Sequence, residues 1–229
     1  MADNITYYPD IEQGSDEWLA LRCGMITASN MRLIMTSTFK IANNDKTRSH
    51  LYELLAQRIT KYVEAAYISD DMLRGMADED DARKLYAEKY APVETVGFVV
   101  NRSLGFPIGY SPDGLVGGHG LIEIKSRRAK YQIETIIGQK IPVDYFLQVQ
   151  TGLWVTQREW LDFISYSGGL PMMTIRVYPD ASLQEAIINA ASNFERELMA
   201  MMEKYTESLA SSDARFADTK RRVEQEMHI

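Results

Sequence analysis

The stretch that most constrains the fold runs from Ser111-Pro112-Asp113-Gly114 to Glu123-Ile124-Lys125. Between its two halves, Gly117-Gly118-His119-Gly120 is typical of a tight turn, so the stretch predicts a β-hairpin. Alternation along the returning strand puts Glu123 and Lys125 on one face. A turn centred on Gly118 pairs Asp113 with Glu123, and directly opposed side chains stand about 4.5–5.5 Å apart at Cβ.

Two carboxylates this close repel each other unless a cation lies between them. Oxygen ligands of this kind suit hard divalent cations such as Mg²⁺ or Mn²⁺. A lysine beside such an ion, here Lys125, orients or activates a water molecule. The pattern is therefore typical of a metal-dependent phosphodiesterase. A structural alternative stays open, because Pro-Asp-Gly is also a common type I turn and Glu-x-Lys also forms solvated ion pairs worth about 0–1 kcal/mol.

The composition is that of an ordinary globular protein, with 229 residues, 45% of them hydrophobic and 25% charged. We expect a single domain over residues 1–210 and a polar tail over residues 211–229. No run of about 18 apolar residues predicts a membrane span, and the first residues do not resemble a signal peptide. The single cysteine, Cys23, permits no intrachain disulfide. These features predict a cytoplasmic protein with no membrane partner.

The net charge of −7 argues against a general nucleic-acid coat protein, but the charges are unevenly distributed. Six acidic residues crowd the segment from Asp70 to Asp81, and cations gather at Lys125, Arg127, Arg128 and Lys130. An acidic cluster that supplies a metal site, beside a basic strip, suits a substrate that carries phosphate. The alternative is that both are solvated faces.

The order of the predicted elements indicates an α/β fold. Helices are expected after Ser15 and over residues 49–63, 75–90, 143–155 and 182–210, with strands over 93–125, 160–166 and 173–178 and a loop over 36–48. Helices before and after a block of strands predict one domain in which a central mixed β-sheet is flanked by helices.

Four further positions are candidates for binding on residue type and location. Arg22 is suited to a bidentate contact with a phosphate. Thr27 and Ser29 lie at an expected helix start, where backbone N–H groups and hydroxyls bind anions, although helix capping explains them equally well. Gln148 is placed to hydrogen-bond a lysine, a water or a phosphate, or to serve as a buried structural amide. Among the six acids, the residue pattern does not choose a ligand.

Taken in order, these motifs resemble the lambda-type phage exonucleases and the viral alkaline-exonuclease-like recombinases of the PD-(D/E)xK nuclease superfamily. The resemblance covers most of the chain. Its motifs are Trp18-x3-Arg22-x-Gly24-x-Ile26-Thr27-Ala28-Ser29, Glu79-x-Asp81-Ala82-Arg83, Ser111-Pro112-Asp113-Gly114-Leu115, Glu123-Ile124-Lys125 and Gln148-Val149-Gln150-x3-Trp154-Val155.

This resemblance implies a restriction-endonuclease-like core and assigns roles to its residues. Asp113, Glu123 and the backbone carbonyl of Ile124 would bind Mg²⁺, with two ions per site and Mn²⁺ as a substitute. Glu79 would be the helix carboxylate that contacts the second ion or its water, and Lys125 would position or activate the attacking water. The residues that would form a pocket for a 5′-terminal phosphate are Arg22, Thr27, Ser29, Ser111 and Gln148.

The same resemblance implies an activity. Members digest one strand of duplex DNA from the 5′ end and leave a 3′ single strand for a single-strand annealing protein, and they form ring-shaped homotrimers. Two other functions stay open for this chain: an endonuclease with the same core, such as a junction resolvase or restriction-type enzyme, and a non-catalytic protein that binds DNA ends. Closed circular DNA separates the first alternative from an exonuclease, because a circle has no end.

Overall fold

The computed structural model describes residues 4–64, 70–211 and 213–221. Its helices are α1 (Asp16–Arg22), α2 (Met31–Ile34), α3 (Asp45–Thr60), α4 (Asp70–Lys89), α5 (Ala129–Gly138), α6 (Val143–Thr156) and α7 (Ala181–Ser211). Its strands are β1 (Ile5–Tyr8), β2 (Ile26–Thr27), β3 (Phe98–Asn101), β4 (Ile108–Tyr110), β5 (Gly114–Val116), β6 (Gly120–Ser126), β7 (Trp160–Tyr166) and β8 (Met173–Val177).

The strands form two mixed sheets of four strands each, in the orders β1-β3-β4-β2 and β5-β6-β7-β8. Each sheet contains one parallel pair, β2 with β4 and β6 with β7. The chain passes from β6 to β7 through α5 and α6, as a parallel pairing requires a crossover. The predicted α/β class is confirmed, and the strands expected in one central sheet are divided between two.

Helix α6 is the central element of the core. Almost every residue from Val149 to Thr156 is buried, and the helix contacts β3 and β4 of the first sheet and β7 of the second. Leu147, Val149 and Leu153 belong to the main hydrophobic cluster, which α2, α3 and α7 cover on the other side. A helix enclosed by its neighbours is apolar on most faces. Gln148 stands near its beginning, where the helix approaches β6.

Helix α4 covers the second sheet. Its Ala82 and Tyr86 pack against Ile122, Ile124 and Ile164 in a separate cluster. The Tyr86 hydroxyl donates to Oδ2 of Asp162 at 2.6 Å, and the guanidinium of Arg176 donates to both oxygens of the same carboxylate at 2.8 Å. These bonds fix α4 to β7 and β8, and the contacts of α4 with β6 bring its acidic side close to the hairpin.

Several predicted boundaries are confirmed and others are wrong. Strand β7 has the predicted bounds, α6 ends one residue later than predicted, and α7 extends one residue further at each end. Helix α4 begins at Asp70 rather than at residue 75, and α3 ends at Thr60 rather than at residue 63. The expected loop over 36–48 ends too late, because the Asn44 side chain accepts hydrogen bonds from Lys46 N and Thr47 N and starts α3 at Asp45. Helical spacing over 49–63 predicts that Ile59 and Tyr62 share a buried face with Leu51, Leu54 and Leu55. They are instead 36% and 43% exposed, and Tyr62 lies beyond the end of α3.

The end of the chain is described only in part. Residues 213–221 form no helix or strand, as expected for a polar tail, and the rest of the predicted tail, residue 212 and residues 222–229, lies outside the described residues. Within the described ranges, no helix combines the length and apolarity needed to cross a bilayer.

Candidate active site

The hairpin at the centre of the sequence has the predicted register. Strands β5 and β6 pair antiparallel with Gly114 opposite Ile122, so the next step of the ladder sets Asp113 opposite Glu123. A Cβ atom on Gly114 would lie 2.2 Å from Cγ1 of Val93, so the residue after Asp113 has no room for a side chain. The Asp113 carboxylate also accepts a hydrogen bond from the backbone N–H of Ile124.

Glu123 is the best-anchored carboxylate of the site, and it is only 1% exposed. Its Oε2 accepts a hydrogen bond from the Tyr110 hydroxyl at 2.6 Å. Its Oε1 accepts one from Nε2 of Gln148 at 2.6 Å and lies 2.7 Å from Nζ of Lys125. Groups on β4, β6 and α6 therefore converge on one buried carboxylate, which is the arrangement needed to hold a charge away from water.

Lys125 points into the same site with 23% of its side chain exposed. Burial alone would lower its pKa, but the carboxylates of Glu123 and Asp113 outweigh burial and raise the pKa above the usual lysine value. Its Nζ also lies 5.5 Å from the centroid of the Tyr145 ring, which adds a cation–π contact.

Helix α4 brings a third carboxylate to the site. Glu79 accepts a hydrogen bond from Nη2 of Arg83 at 2.5 Å, and Nε of Arg83 donates to the backbone carbonyl of Asp113 at 2.8 Å. Arg83 thus links α4 to the Asp113 turn. Among the other described acids of this segment, Asp78 accepts from the Ser126 hydroxyl and Asp80 pairs with Lys84. The side chains of Asp70 and Asp71 lie outside the described part of the chain.

The three carboxylates carry more negative charge than their surroundings neutralise. Withdrawal from water, then the charges of Glu123 and Glu79, raise the pKa of Asp113 well above the usual range. Burial also raises the pKa of Glu79, against the opposing effect of Arg83. No three His, Cys, Asp or Glu side chains among the described residues already converge on one point. The candidate side-chain metal ligands are all carboxylate oxygens, and the nearby cationic side chains do not balance their charge. Both features fit a divalent cation.

Next to these carboxylates lies a cavity of about 160 Å³ with Arg22 in its wall. The guanidinium carbon of Arg22 stacks 3.8 Å from the ring centroid of Trp18, and burial lowers the pKa of Arg22 to about 10. We find no carboxylate paired with this arginine within the described ranges. The cavity is also lined by side chains of the candidate hairpin and of the predicted phosphate pocket, namely Ser29, Ser111, Asp113, Glu123, Lys125 and Gln148.

The remaining predicted pocket residues are placed as follows. The Ser111 hydroxyl accepts a hydrogen bond from Nε1 of Trp18 at 2.9 Å. Ser29 and Thr27 lie at the start of a short 3₁₀ turn with their hydroxyl oxygens 3.3 Å apart, and Thr27 is buried behind Ser29. Arg22, Ser29, Ser111 and Gln148 therefore share one cavity, and Thr27 supports it from behind.

Sequence reasoning did not assign roles to Tyr110, Arg83 or Trp18. Ile108 and Tyr110 occupy inward positions of β4. A buried phenol needs a hydrogen-bond partner, and this requirement is the sequence feature that could have indicated a role for Tyr110. Its ring packs on α6 at Gly152, where a Cβ atom would lie 2.7 Å from Cζ of Tyr110. Only glycine allows the helix to approach this closely, and the approach directs the phenol at Glu123.

Comparison with known proteins agrees with the resemblance drawn from the sequence. Residues 17–159 match the model of the YqaJ-like viral recombinase domain. This span contains Arg22, Glu79, Asp113, Glu123, Lys125 and Gln148. No curated protein sequence gives a significant match.

Solved structures give the same result. An alkaline exonuclease from Laribacter hongkongensis, LHK-Exo, is 34% identical, with a TM-score of 0.77 over 86% of this chain and 98% of that one. LHK-Exo in complex with dAMP matches at 35% identity with the same TM-score and coverage. A phage-related exonuclease from Haemophilus somnus 129PT has the same fold, with a TM-score of 0.54 at 14% identity over 78% of this chain and 96% of that one.

Proposed function

Because the chain belongs to the YqaJ-like viral recombinase family, we propose that this nuclease degrades one strand of linear duplex DNA from a 5′-phosphorylated end, in the 5′-to-3′ direction. The product is a duplex with a 3′ single strand, the substrate for recombination by strand annealing. The observation that carries this proposal is the position of Arg22. The half-buried guanidinium of Arg22 shares one cavity with Asp113, Glu123 and Lys125.

The size and charge of this cavity support recognition of an end. At about 160 Å³ it is below the roughly 300 Å³ at which drug-sized pockets begin, so it suits a small group such as a phosphate. A phosphate would give the guanidinium the bidentate anionic partner it lacks among the described residues. The hydroxyls of Ser29 and Ser111 add donors. A terminal phosphate bound there would bring the first linkage of the strand to the carboxylates.

The carboxylates suit the ion on which nucleases of this family depend. Asp113, Glu123, the Ile124 carbonyl and Glu79 would hold Mg²⁺, with two ions per site and Mn²⁺ as a substitute. When bound, a divalent cation neutralises charge at the scissile phosphate and makes water a stronger nucleophile. Tyr110 and Gln148 keep the Glu123 carboxylate oriented through its two oxygens.

Lys125 would position or activate the attacking water in this scheme. Its Nζ lies 2.7 Å from Oε1 of Glu123, which holds the amine beside the proposed metal ligands. A cationic amine there would also stabilise the negative charge that develops on the phosphate. Arg83 holds Glu79 and the Asp113 turn in place on the opposite side.

Two further parts of the proposal concern partners. We propose a ring-shaped homotrimer that acts with a single-strand annealing protein. Support for an oligomer is the exposed apolar side of α7, which includes Met199, Tyr205 and Leu209. Light scattering at several protein concentrations measures the mass, and a monomer at every concentration would contradict the ring.

The activity is tested with one linear duplex in Mg²⁺. One 5′ end is phosphorylated and the other carries a hydroxyl, each strand has its own label, and a closed circle is digested in parallel. The proposal predicts loss of the phosphorylated strand with an intact circle. Nicking of the circle would indicate the endonuclease, and DNA binding without cleavage of any substrate would indicate a non-catalytic end-binding protein.

A further inference from the structure

A second cleft adjoins the site at the residues that follow Lys125. It lies between α5 and the start of α6, has a volume of about 810 Å³, and is lined in part by Arg127, Tyr131 and Lys140. We refer to it as the α5–α6 cleft. Strand β6 carries Lys125 and ends at Ser126, and the next residue, Arg127, lines the cleft, so the two are consecutive along the chain.

Tyr145 joins the cleft to the catalytic lysine. Nζ of Lys125 lies 5.5 Å from the centroid of its ring, and Nη1 of Arg127 donates a hydrogen bond to its hydroxyl at 2.9 Å. The guanidinium carbon of Arg127 also lies 5.3 Å from the Tyr145 centroid. A chain of alternating cations and aromatic rings therefore starts at the scissile position and extends into the cleft.

Tyr131 continues this chain at the surface. Its ring is 5.2 Å from the guanidinium carbon of Arg127 and 4.6 Å from Nζ of Lys130. The residue is 42% exposed although it is a large aromatic, and Lys130 beside it is exposed as well. A planar group that stacks on Tyr131 would displace Lys130 from the ring. The exposed ammonium group of Lys130 would then be free to contact a phosphate.

The cleft carries both cations and an aromatic ring. Arg127 and Lys140 line it together with Tyr131, and the acidic groups Glu134 and Asp144 line it as well. Cations that contact phosphates, combined with aromatic side chains on which bases stack, are typical of sites for single strands.

We propose that the α5–α6 cleft binds unpaired DNA bases next to the scissile linkage, with Tyr131 as the stacking platform and Arg127 and Lys130 as phosphate contacts. Bases inside a duplex stack on each other and offer no free face, so an aromatic platform selects unpaired ones. This inference rests on the proposed function, because exonuclease action creates unpaired bases. They come from the surviving 3′ strand or from a frayed 5′ end.

The test is fluorescence anisotropy without divalent cations, so that no DNA is cut. The probes are a blunt duplex, the same duplex with a 3′ overhang, and the same duplex with a 5′ overhang. The variants are Tyr131→Ala, Tyr131→Phe and, as a matched control, Tyr178→Ala, which removes another tyrosine that is 63% exposed. The Tyr131 side chain can be removed without loss of helix hydrogen bonds, because the hydrogen bonds of Tyr131 to other described residues use its backbone N–H and carbonyl. Thermal melting verifies that each variant is folded.

We expect wild type to bind at least one overhang duplex more tightly than the blunt duplex, and the favoured overhang identifies the strand. Tyr131→Ala should weaken that binding by about fivefold or more, the lower range for loss of one base–aromatic stack. Tyr131→Phe and Tyr178→Ala should bind like wild type. Equal affinity for all probes, or an equal loss on blunt and overhang duplexes in Tyr131→Ala, would overturn the inference. Absence of digestion in Mg²⁺ is a separate result that would overturn the proposed function alone.

Discussion

Tyr110 donates its hydroxyl hydrogen to Oε2 of Glu123 at 2.6 Å, from a strand of one sheet to a strand of the other. Both groups are buried, with Tyr110 and Glu123 each 1% exposed. This bond decides which way the carboxylate faces, because it leaves Oε1 for Lys125 and Gln148. A hydrogen bond at the proposed metal ligand Glu123 therefore joins the two sheets.

Replacing Tyr110 with phenylalanine keeps the ring and removes this bond. We expect a loss of about 10- to 100-fold in apparent Mg²⁺ affinity or activity, the usual effect of removing a partner that orients a ligand. The measurement is the digestion rate against Mg²⁺ concentration. Tyr86→Phe is the matched control, since Tyr86 also donates to a carboxylate at 2.6 Å but does so away from the site. An unchanged Mg²⁺ dependence in Tyr110→Phe would contradict the orienting role.

Asp113→Asn should stabilise the protein when no divalent cation is present. The pKa of Asp113 is raised well above the unfolded value of 3.8, so its ionised form destabilises the fold above the folded pKa, and this penalty is relieved as the pH falls through it. We expect the Tm in EDTA at neutral pH to rise by about 2 °C or more, and the difference from wild type to shrink in acid.

The same variant should lose the response to metal. Saturating Mg²⁺ is expected to raise the Tm of wild type and of the control Asp80→Asn, an exposed acid on α4, but not that of Asp113→Asn. If Mg²⁺ raises all three melting temperatures equally, Asp113 is not a ligand.

Arg22→Lys separates the charge of the phosphate pocket from its geometry. Lysine keeps a positive charge but lacks the planar fork for a bidentate contact. We expect the preference for a 5′-phosphate over a 5′-hydroxyl end to fall by about tenfold, which is the ratio for roughly 1.4 kcal/mol. Initial rates on the two ends give the ratio, with Arg102→Lys, at an exposed arginine, as control. A preference that survives in Arg22→Lys would place the 5′-phosphate elsewhere.

Glu79→Gln tests which acid of α4 belongs to the site. The charges of Glu123 and Lys125 act on Glu79, whereas Asp80 is engaged by Lys84 at the surface. Activity should fall by about tenfold or more in Glu79→Gln, as for other ligand or ligand-orienting groups, and stay near wild type in Asp80→Asn. Equal activity of both variants would remove Glu79 from the proposed ligand set.

Local patterns in the sequence were sufficient to predict the hairpin that holds the candidate site residues. The Gly117–Gly120 turn and strict alternation set the hairpin register, and a one-residue slip would have moved every side chain to the other face. The bounds of β7 were predicted to the residue and those of α6 to within one residue. The start of α3 was missed although Asn44-Asp45 is a capping signal, because the polar stretch before it has the composition of a loop.

What the sequence does not contain is the pairing of distant elements. The division of the strands between two sheets depends on which strands pair, and the roles of Tyr110 and Arg83 depend on contacts made only after α4, α6 and both sheets have packed. The exposed positions of Ile59 and Tyr62 have a related cause, since the periodicity of a helix does not show how far its covering layer extends.

If the Asp113–Glu123–Lys125 hairpin performs the hydrolysis, loss of the Lys125 amine should stop turnover without releasing DNA. Wild type and Lys125→Ala are assayed on the same 5′-phosphorylated, end-labelled duplex, for strand loss with Mg²⁺ and for binding without it. We expect Lys125→Ala to digest the strand about 10²- to 10⁴-fold more slowly and to bind the duplex like wild type. Undiminished digestion by a folded Lys125→Ala protein would contradict this role of the hairpin, as would loss of binding in parallel with activity.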